Sequence, residues 1–209
     1  LHVAITGRSQ ESVDTALEKL NSDSSSKAIG FPADVRSFEE QESAIEKTIA
    51  QLGAVDIVIA NAGLGHFGKV QDLSIEDWKE TIDTNLTGAF YTLKASVDQL
   101  IKQKGYYITI SSLAGTNFFS GGVAYNASKF GVTGFTQAAM LDLRDAEVKV
   151  TTIMPGSVST HFNGNEPSEK GSWKIQIEDI GQMVVDLLKM NPRTLPSKIE
   201  VRPTTPPSK

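Results

Sequence analysis

The chain has 209 residues, with 20 basic against 25 acidic side chains, a net charge of −5 and no cysteine. The absence of Cys excludes disulfides, thiolate metal sites and a cysteine nucleophile, and three scattered His residues offer no His-rich metal centre. The acidic balance, with a pI near 5.3, argues against nucleic acid or an anionic membrane as partner, and no apolar run approaches the ~18 residues of a membrane span. Leu1–Thr6 reads as a strand, and Arg8-Ser9 then opens a helix with Val13, Ala16, Leu17 and Leu20 on one face. Residues 22–26 form a polar stretch, and Lys27–Phe31 reads as a second strand. Ser37-x-x-Glu40 is a capping-box pattern ahead of Ala44, Ile45, Thr48, Ile49 and Leu52. Val55–Ala60, apolar apart from Asp56, fits a strand covered on both faces.

A second cap, Ser74-x-x-Asp77, starts a long helical stretch towards Gln103 with a break near Asn85–Gly88. Tyr106–Ile110 reads as a strand, Gly122–Glu147 as mostly helix, Lys149–Met154 as a strand, Ile177–Met190 as a helix and Ile199–Arg202 as a last strand. Residues 203–209 carry three prolines and form a loose tail. The alternation predicts one α/β domain over residues 1–209, a Rossmann-like doubly wound parallel sheet with helices on both faces. At this mass such a domain exposes about 9,500 Å² and buries about 70% of the extended chain's surface. The N-terminus shows no basic region followed by an apolar one, so a cytoplasmic location is expected. Ligands in such folds bind beyond the carboxyl ends of the strands, which directs attention to Gly7-Arg8, Asp34, Asn61-Ala62-Gly63, Ser111-Ser112 and Pro155-Gly156.

Tyr125-x3-Lys129 carries the sharpest chemistry. Four residues apart on a helix, the phenol and the ammonium share one face, and a nearby cation favours phenolate, so the pair can act as general acid or base. Ser112, 13 residues upstream at a strand end, can hold a carbonyl or alcohol oxygen beside the phenol, or simply cap the next element. His66 and His161 fall in loops beside the cleft, either as substrate contacts or as solvated loop histidines. Two sequons, Asn85-Leu-Thr87 and Asn126-Ala-Ser128, lie in predicted helices and read as coincidence.

Ala33-Asp34-Val35, Asn61-Ala62-Gly63, Asn85-Leu-Thr-Gly88, Ser112, Tyr125-x3-Lys129 and Pro155-Gly156-Ser-Val158-x-Thr160 together resemble the short-chain dehydrogenase/reductase family, single-domain type, from residue 1 to about 202. The resemblance implies that Tyr125 exchanges a proton with the substrate oxygen and that Lys129 lowers the tyrosine pKa and holds the nicotinamide ribose. It implies that Ser112 orients the substrate and Asn85 anchors a water in a proton relay, although Asn85 could equally mark the helix break. By the same resemblance Asp34 and Val35 flank the adenine, Asn61, Ala62 and Gly63 line the cofactor cleft, and Pro155, Gly156, Val158 and Thr160 hold the nicotinamide. At the level of the residues alone, Asp34 could be a turn residue and Asn61-Ala62-Gly63 a tight strand-end turn.

One element departs from the family pattern. Thr6-Gly7 resembles the start of its Gly-rich turn, but Arg8–Val13 supplies no further glycine and places Glu11 where phosphate is expected. The better register makes Leu1–Gly7 the second strand, with a first strand, Gly-rich loop and helix of roughly 25–30 residues expected upstream of residue 1. Without that unit, cofactor binding is expected to fail. In this register Gly7-Arg8-Ser9 replaces the ribose-reading acid, which favours NADP(H) over NAD(H), unless Arg8 is merely a solvated first-turn residue. The expected function is NADP(H)-dependent hydride transfer to or from a small carbonyl or alcohol. A non-catalytic dinucleotide sensor or scaffold is the alternative; a lyase or epimerase would need a substrate domain for which the chain beyond residue 160 is short. Apolar residues on two long helices (Ala89, Phe90, Leu93, Val97 and Leu100; Phe130, Phe135, Ala138, Ala139, Leu141 and Leu143) point to a homodimer or homotetramer. Residues 161–173, rich in Asn, Gly, Pro and Glu, read as a lid over the substrate.

Overall fold

A computed structural model describes residues 1–22 and 27–206. In chain order the elements are β1 (Val3–Gly7), α1 (Gln10–Ser22), β2 (Ala28–Pro32), α2 (Phe38–Leu52), β3 (Ile57–Ala60), α3 (Ile75–Ile82), α4 (Gly88–Gln103), β4 (Tyr106–Ile110), α5 (Val123–Asp142), β5 (Lys149–Pro155), α6 (Ile177–Lys189) and β6 (Lys198–Val201). All strand pairs are parallel, and helices cover both faces, as the alternation predicts. The expected polar stretch at 22–26 reduces to Ser22, the last residue of α1, because 23–26 lie outside the described residues; so do 207–209 of the expected tail.

The strands fall into two groups: β1 pairs with β2, while β3, β4, β5 and β6 form a second sheet in that order. Among the described residues no ladder joins β1 to β3, and this interruption falls where the expected register places another strand. Val55–Ala60 is therefore less covered than its apolar run implies, with Ile59 44% exposed on β3 and Val3 42% exposed on β1. Total accessible surface is 12,100 Å², above the value of about 9,500 Å² expected from mass. The second sheet is well covered. Tyr107 and Val150 pack with Val58, Leu93, Leu100 and Ala139 under α4 and α5, while Tyr106, Ile108 and Ile153 meet Leu187 of α6 on the other face.

Local chemistry sets the element ends. Ser37 Oγ accepts from Glu40 N–H at 3.3 Å, and Ser74 Oγ accepts from Asp77 N–H at 3.0 Å. Only half the expected capping box forms at α2, because the Glu40 carboxylate accepts from Asp34 N–H at 2.7 Å instead. The anticipated break before α4 is a π-helical turn at Asp83–Thr87. Just past it, Gly88 lets α4 approach the β2–α2 connection: a Cβ there would lie 2.8 Å from Val35 Cγ2. Val35 is thus a packing residue beneath the cleft. The last long helix ends at Asp142, five residues before the expected Glu147, in a turn that closes with Glu147 at φ 59°.

Candidate active site

The carboxyl ends of β3, β4 and β5 open onto a cavity of about 560 Å³, within the usual range for small-molecule sites. Asn61, Gly63, Ser112, Tyr125, Lys129, Pro155, Gly156, Val158 and Thr160 all line it, so nine of the residues singled out by sequence converge on one space. Ala62 lies exposed between two of them. Arg8, Ser9, Asp34 and Val35 lie apart, at the ends of β1 and β2.

Tyr125 sits in the first turn of α5 with Phe67 and Phe162 against its ring, at centroid distances of 5.3 and 5.9 Å. Burial by these rings pushes the phenol pKa up, and the neighbouring Ser112 hydroxyl pulls it partly back. Lys129 Nζ lies 5.7 Å from the Tyr125 ring centroid. Its own pKa is pushed down from 10.5 to about 8 by burial. Desolvation is the largest influence on both groups, raising the phenol and lowering the ammonium. Lys129 Nζ donates to Ile110 O at 3.0 Å. An ammonium has three protons, and this buried one has no carboxylate partner among the described residues, a donor set suited to ribose hydroxyls.

Asn85 is 2% exposed, and its amide is fully engaged. Oδ1 accepts from Leu64 N–H at 2.8 Å, while Nδ2 donates to Leu64 O at 2.8 Å and to Ser128 Oγ at 2.9 Å. This side chain fastens the loop after β3 to α5 from within the helix break, and it is not among the residues that line the cavity. Asn126, expected only as part of a chance sequon, donates from Nδ2 to Ala114 O and Asn117 O, each at 2.8 Å, holding the loop that carries Ser112. The signal was available: an Asn beside the tyrosine on a helix's buried side needs polar partners. Both sequon asparagines are buried and bonded, so neither can accept a glycan. Gly115 completes that loop, since a Cβ there would lie 2.4 Å from Thr133 Oγ1 and 2.7 Å from Lys129 O.

The end of β2 is held by charge. Asp34 forms a forked pair with Arg36, Nη2 to Oδ2 at 2.6 Å and Nε at 3.0 Å, which holds its carboxyl below the ordinary range. Arg36 also meets Glu80 at 3.5 Å, and His66 bridges Glu80 at 2.9 Å and Asp77 at 3.3 Å. His66 therefore belongs to a charged strap between the β3–α3 loop and α3. His161 pairs with Glu166 at 3.1 Å on the outer side of the lid. Ser9 Oγ caps α1 by accepting from Ser12 N–H at 3.2 Å, and Arg8 is exposed with no ion pair among the described residues. The lid consists of two short turns, Phe162–Gly164 and Glu169–Gly171, and brings Phe162, Asn165 and Lys174 to the cavity. Phe162 and Asn165 fall within the lid expected at 161–173, while Lys174 lies just beyond it.

Known proteins resemble this chain. A dehydrogenase of trans-4-hydroxycyclohexanecarboxylate from Sinomonas cyclohexanicum is 36% identical over 127 residues, 61% of this chain; the match spans about half (49%) of that relative's length. An uncharacterized oxidoreductase of Staphylococcus aureus (strain MW2) is 31% identical over 96% of this chain and 86% of its own. The structure of an alcohol dehydrogenase from the archaeon Thermococcus sibiricus, complexed with 5-hydroxy-NADP, superposes with a TM-score of 0.91 at 26% identity, covering 100% of this chain and 88% of that one. The family model described as short chain dehydrogenase matches residues 1–171. The chain accordingly belongs to the short chain dehydrogenase family of oxidoreductases.

Proposed function

We propose that the protein is an NADP(H)-dependent oxidoreductase that interconverts a carbonyl and an alcohol at Tyr125. The observation that carries this reading is the convergence of a half-buried phenol, a strand-end hydroxyl and a buried lysine on one cavity. When bound, the nicotinamide supplies or accepts the hydride. Ser112 Oγ donates to the substrate oxygen and fixes it beside the phenol. Tyr125 Oη gives its proton to that oxygen as negative charge builds during reduction, and takes it back during oxidation. Lys129 holds ribose hydroxyls with its free N–H groups and stabilises the phenolate left behind. Asn85 and Asn126 keep the walls of the site in place through the loops they bind. Phe67 and Phe162 keep water from the phenol.

NADP(H) is preferred over NAD(H) in this reading because Arg8 stands exposed and unpaired among the described residues, while no carboxylate follows β1 directly. The 5-hydroxy-NADP of the Thermococcus sibiricus structure agrees with that preference. Phe90 and Phe130, 47% and 42% exposed on α4 and α5, support self-association into a homodimer or homotetramer; Leu93, Leu100 and Ala139, by contrast, serve the core. A panel of carbonyl compounds with NADPH and NADH, followed by nicotinamide absorbance, tests the assignment. In the protein carrying the expected phosphate-binding unit ahead of β1, turnover is expected with NADPH, and Tyr125→Phe is expected to lower kcat about 100- to 10,000-fold while NADPH still quenches the protein's fluorescence. NADPH binding with no turnover of any carbonyl would favour the sensor reading.

A further inference from the structure

The reaction described above leaves one cation of the cavity without a task. Lys174 lines the same space as Ser112 and Tyr125. Its backbone is held on several sides: Lys174 N–H donates to Gly171 O at 2.9 Å, and its carbonyl accepts from Gln176 Nε2 at 2.7 Å. The next residue, Ile175, bridges Val158, donating to Ser157 O at 3.1 Å and accepting from Ser159 N–H at 2.8 Å. The root of the side chain is therefore tied to the segment that closes β5. Its Nζ lies 6.0 Å from the Trp173 ring centroid, and among the described residues no carboxylate pairs with it.

The charge balance of the cavity is lopsided. Two lysines line it and no Asp or Glu does, although the chain as a whole carries −5. Lys129 has a carbonyl partner and a cofactor role; Lys174 has neither. Lys174 is a half-buried residue of the cavity wall, and a cation at a concave site focuses positive potential on whatever enters. Beside it stand apolar walls, Phe162, Ile177 and Ile180.

We propose that Lys174 is a specificity-determining residue that pairs with a carboxylate on the substrate, so that the protein acts on oxo- or hydroxy-carboxylic acids with an apolar body. This inference rests on the redox reading above for the word substrate, but the anion site itself can be measured without turnover. Cyclohexanecarboxylate and its uncharged counterpart cyclohexanecarboxamide, neither of which can react, serve as probes in ligand-observed NMR titrations of the full chain. The wild-type protein is expected to bind the carboxylate about 10- to 100-fold more tightly than the amide, the usual worth of a hydrogen bond to a charged group. Lys174→Gln removes that preference, and Lys174→Arg restores it. For 4-oxopentanoate against its primary amide, the ratio of kcat/KM falls by the same factor in Lys174→Gln. Equal binding of the two probes by wild type, or a preference that survives Lys174→Gln, overturns the proposal. So does a loss confined to NADPH affinity, which would assign Lys174 to the cofactor's phosphates. A Lys174-dependent carboxylate preference in a protein that reduces no carbonyl sustains the anion site and defeats the redox reading.

Discussion

The β1–β2 pair and the β3–β6 sheet are built from similar short apolar strands, yet they differ in nearly every physical respect. In β4 and β5, ten of twelve strand residues are buried, and hydroxyls pair across the interior: Tyr106 with Thr151 at 2.7 Å, Thr109 with Thr136 at 2.9 Å, Ser111 with Thr133 at 3.0 Å. In β1 no residue is buried, and the pair is held chiefly by α1 through Val13, which packs beside Gly30. The proton-transfer residues hang from the covered sheet, where a side chain can be fixed and desolvated. The residues expected to read the adenosine end hang from the open pair, where charge pairing replaces burial. Strand sequence alone does not decide rigidity; paired neighbours on both edges and helices on both faces do.

The contrast can be broken by mutation. Ile153→Ala in β5 should cost about 2–5 kcal/mol in urea unfolding, whereas Val3→Ala in β1 should cost about 0.5 kcal/mol or less. Equal costs would show that the two regions share one core. Ser112→Ala should lower kcat about 10- to 1,000-fold, as loss of an oxyanion donor does. Because the Ser112 hydroxyl lowers the Tyr125 pKa, its removal should also move the alkaline fall of the reduction rate to higher pH. A limb that moves to lower pH would contradict that role.

A third measurement concerns stability. Lys129 binds its proton less tightly folded, near pH 8, than unfolded, near 10.5, so its burial cost is fully present below pH 8 and fades as pH rises towards 10.5. Lys129→Met should therefore stabilise the inactive protein by about 1–3 kcal/mol at pH 7, with the gain shrinking over that window. The smallest effect belongs to the open half. Arg8→Ala should reduce the ratio of NADPH to NADH affinity about 10-fold, measured by cofactor fluorescence.

Much of this was legible in the chain. Period and caps located every strand and helix to within a few residues, because Ser37 and Ser74 are genuine caps and β4 ends where its apolar run ends. Tyr125, Ser112 and Lys129 declared themselves by type and spacing. What stayed hidden depends on contacts between distant segments. No spacing reveals that Asn126 grips the loop at 114–117, that Glu40 serves Asp34 rather than its own helix, or that Lys174 reaches the cavity through a bridge to Val158. The helix spacing shows the cation beside Tyr125, while the aromatic walls around its phenol come from residues 67 and 162.

The π-turn at Asp83–Thr87 has a consequence for what the chain tolerates. A turn closed by i→i+5 hydrogen bonds holds about one residue more than an α-turn, so it takes that residue up locally and spares everything after it a rotation of about 100°. α3 and α4 therefore run on as one shaft with a slack link at those five residues. A single deletion between 83 and 87 would draw the link into an α-turn and leave Leu93 and Leu100 facing the core. The same deletion inside α4 ahead of Leu93 finds no slack and would turn Lys94 or Asp98 inward.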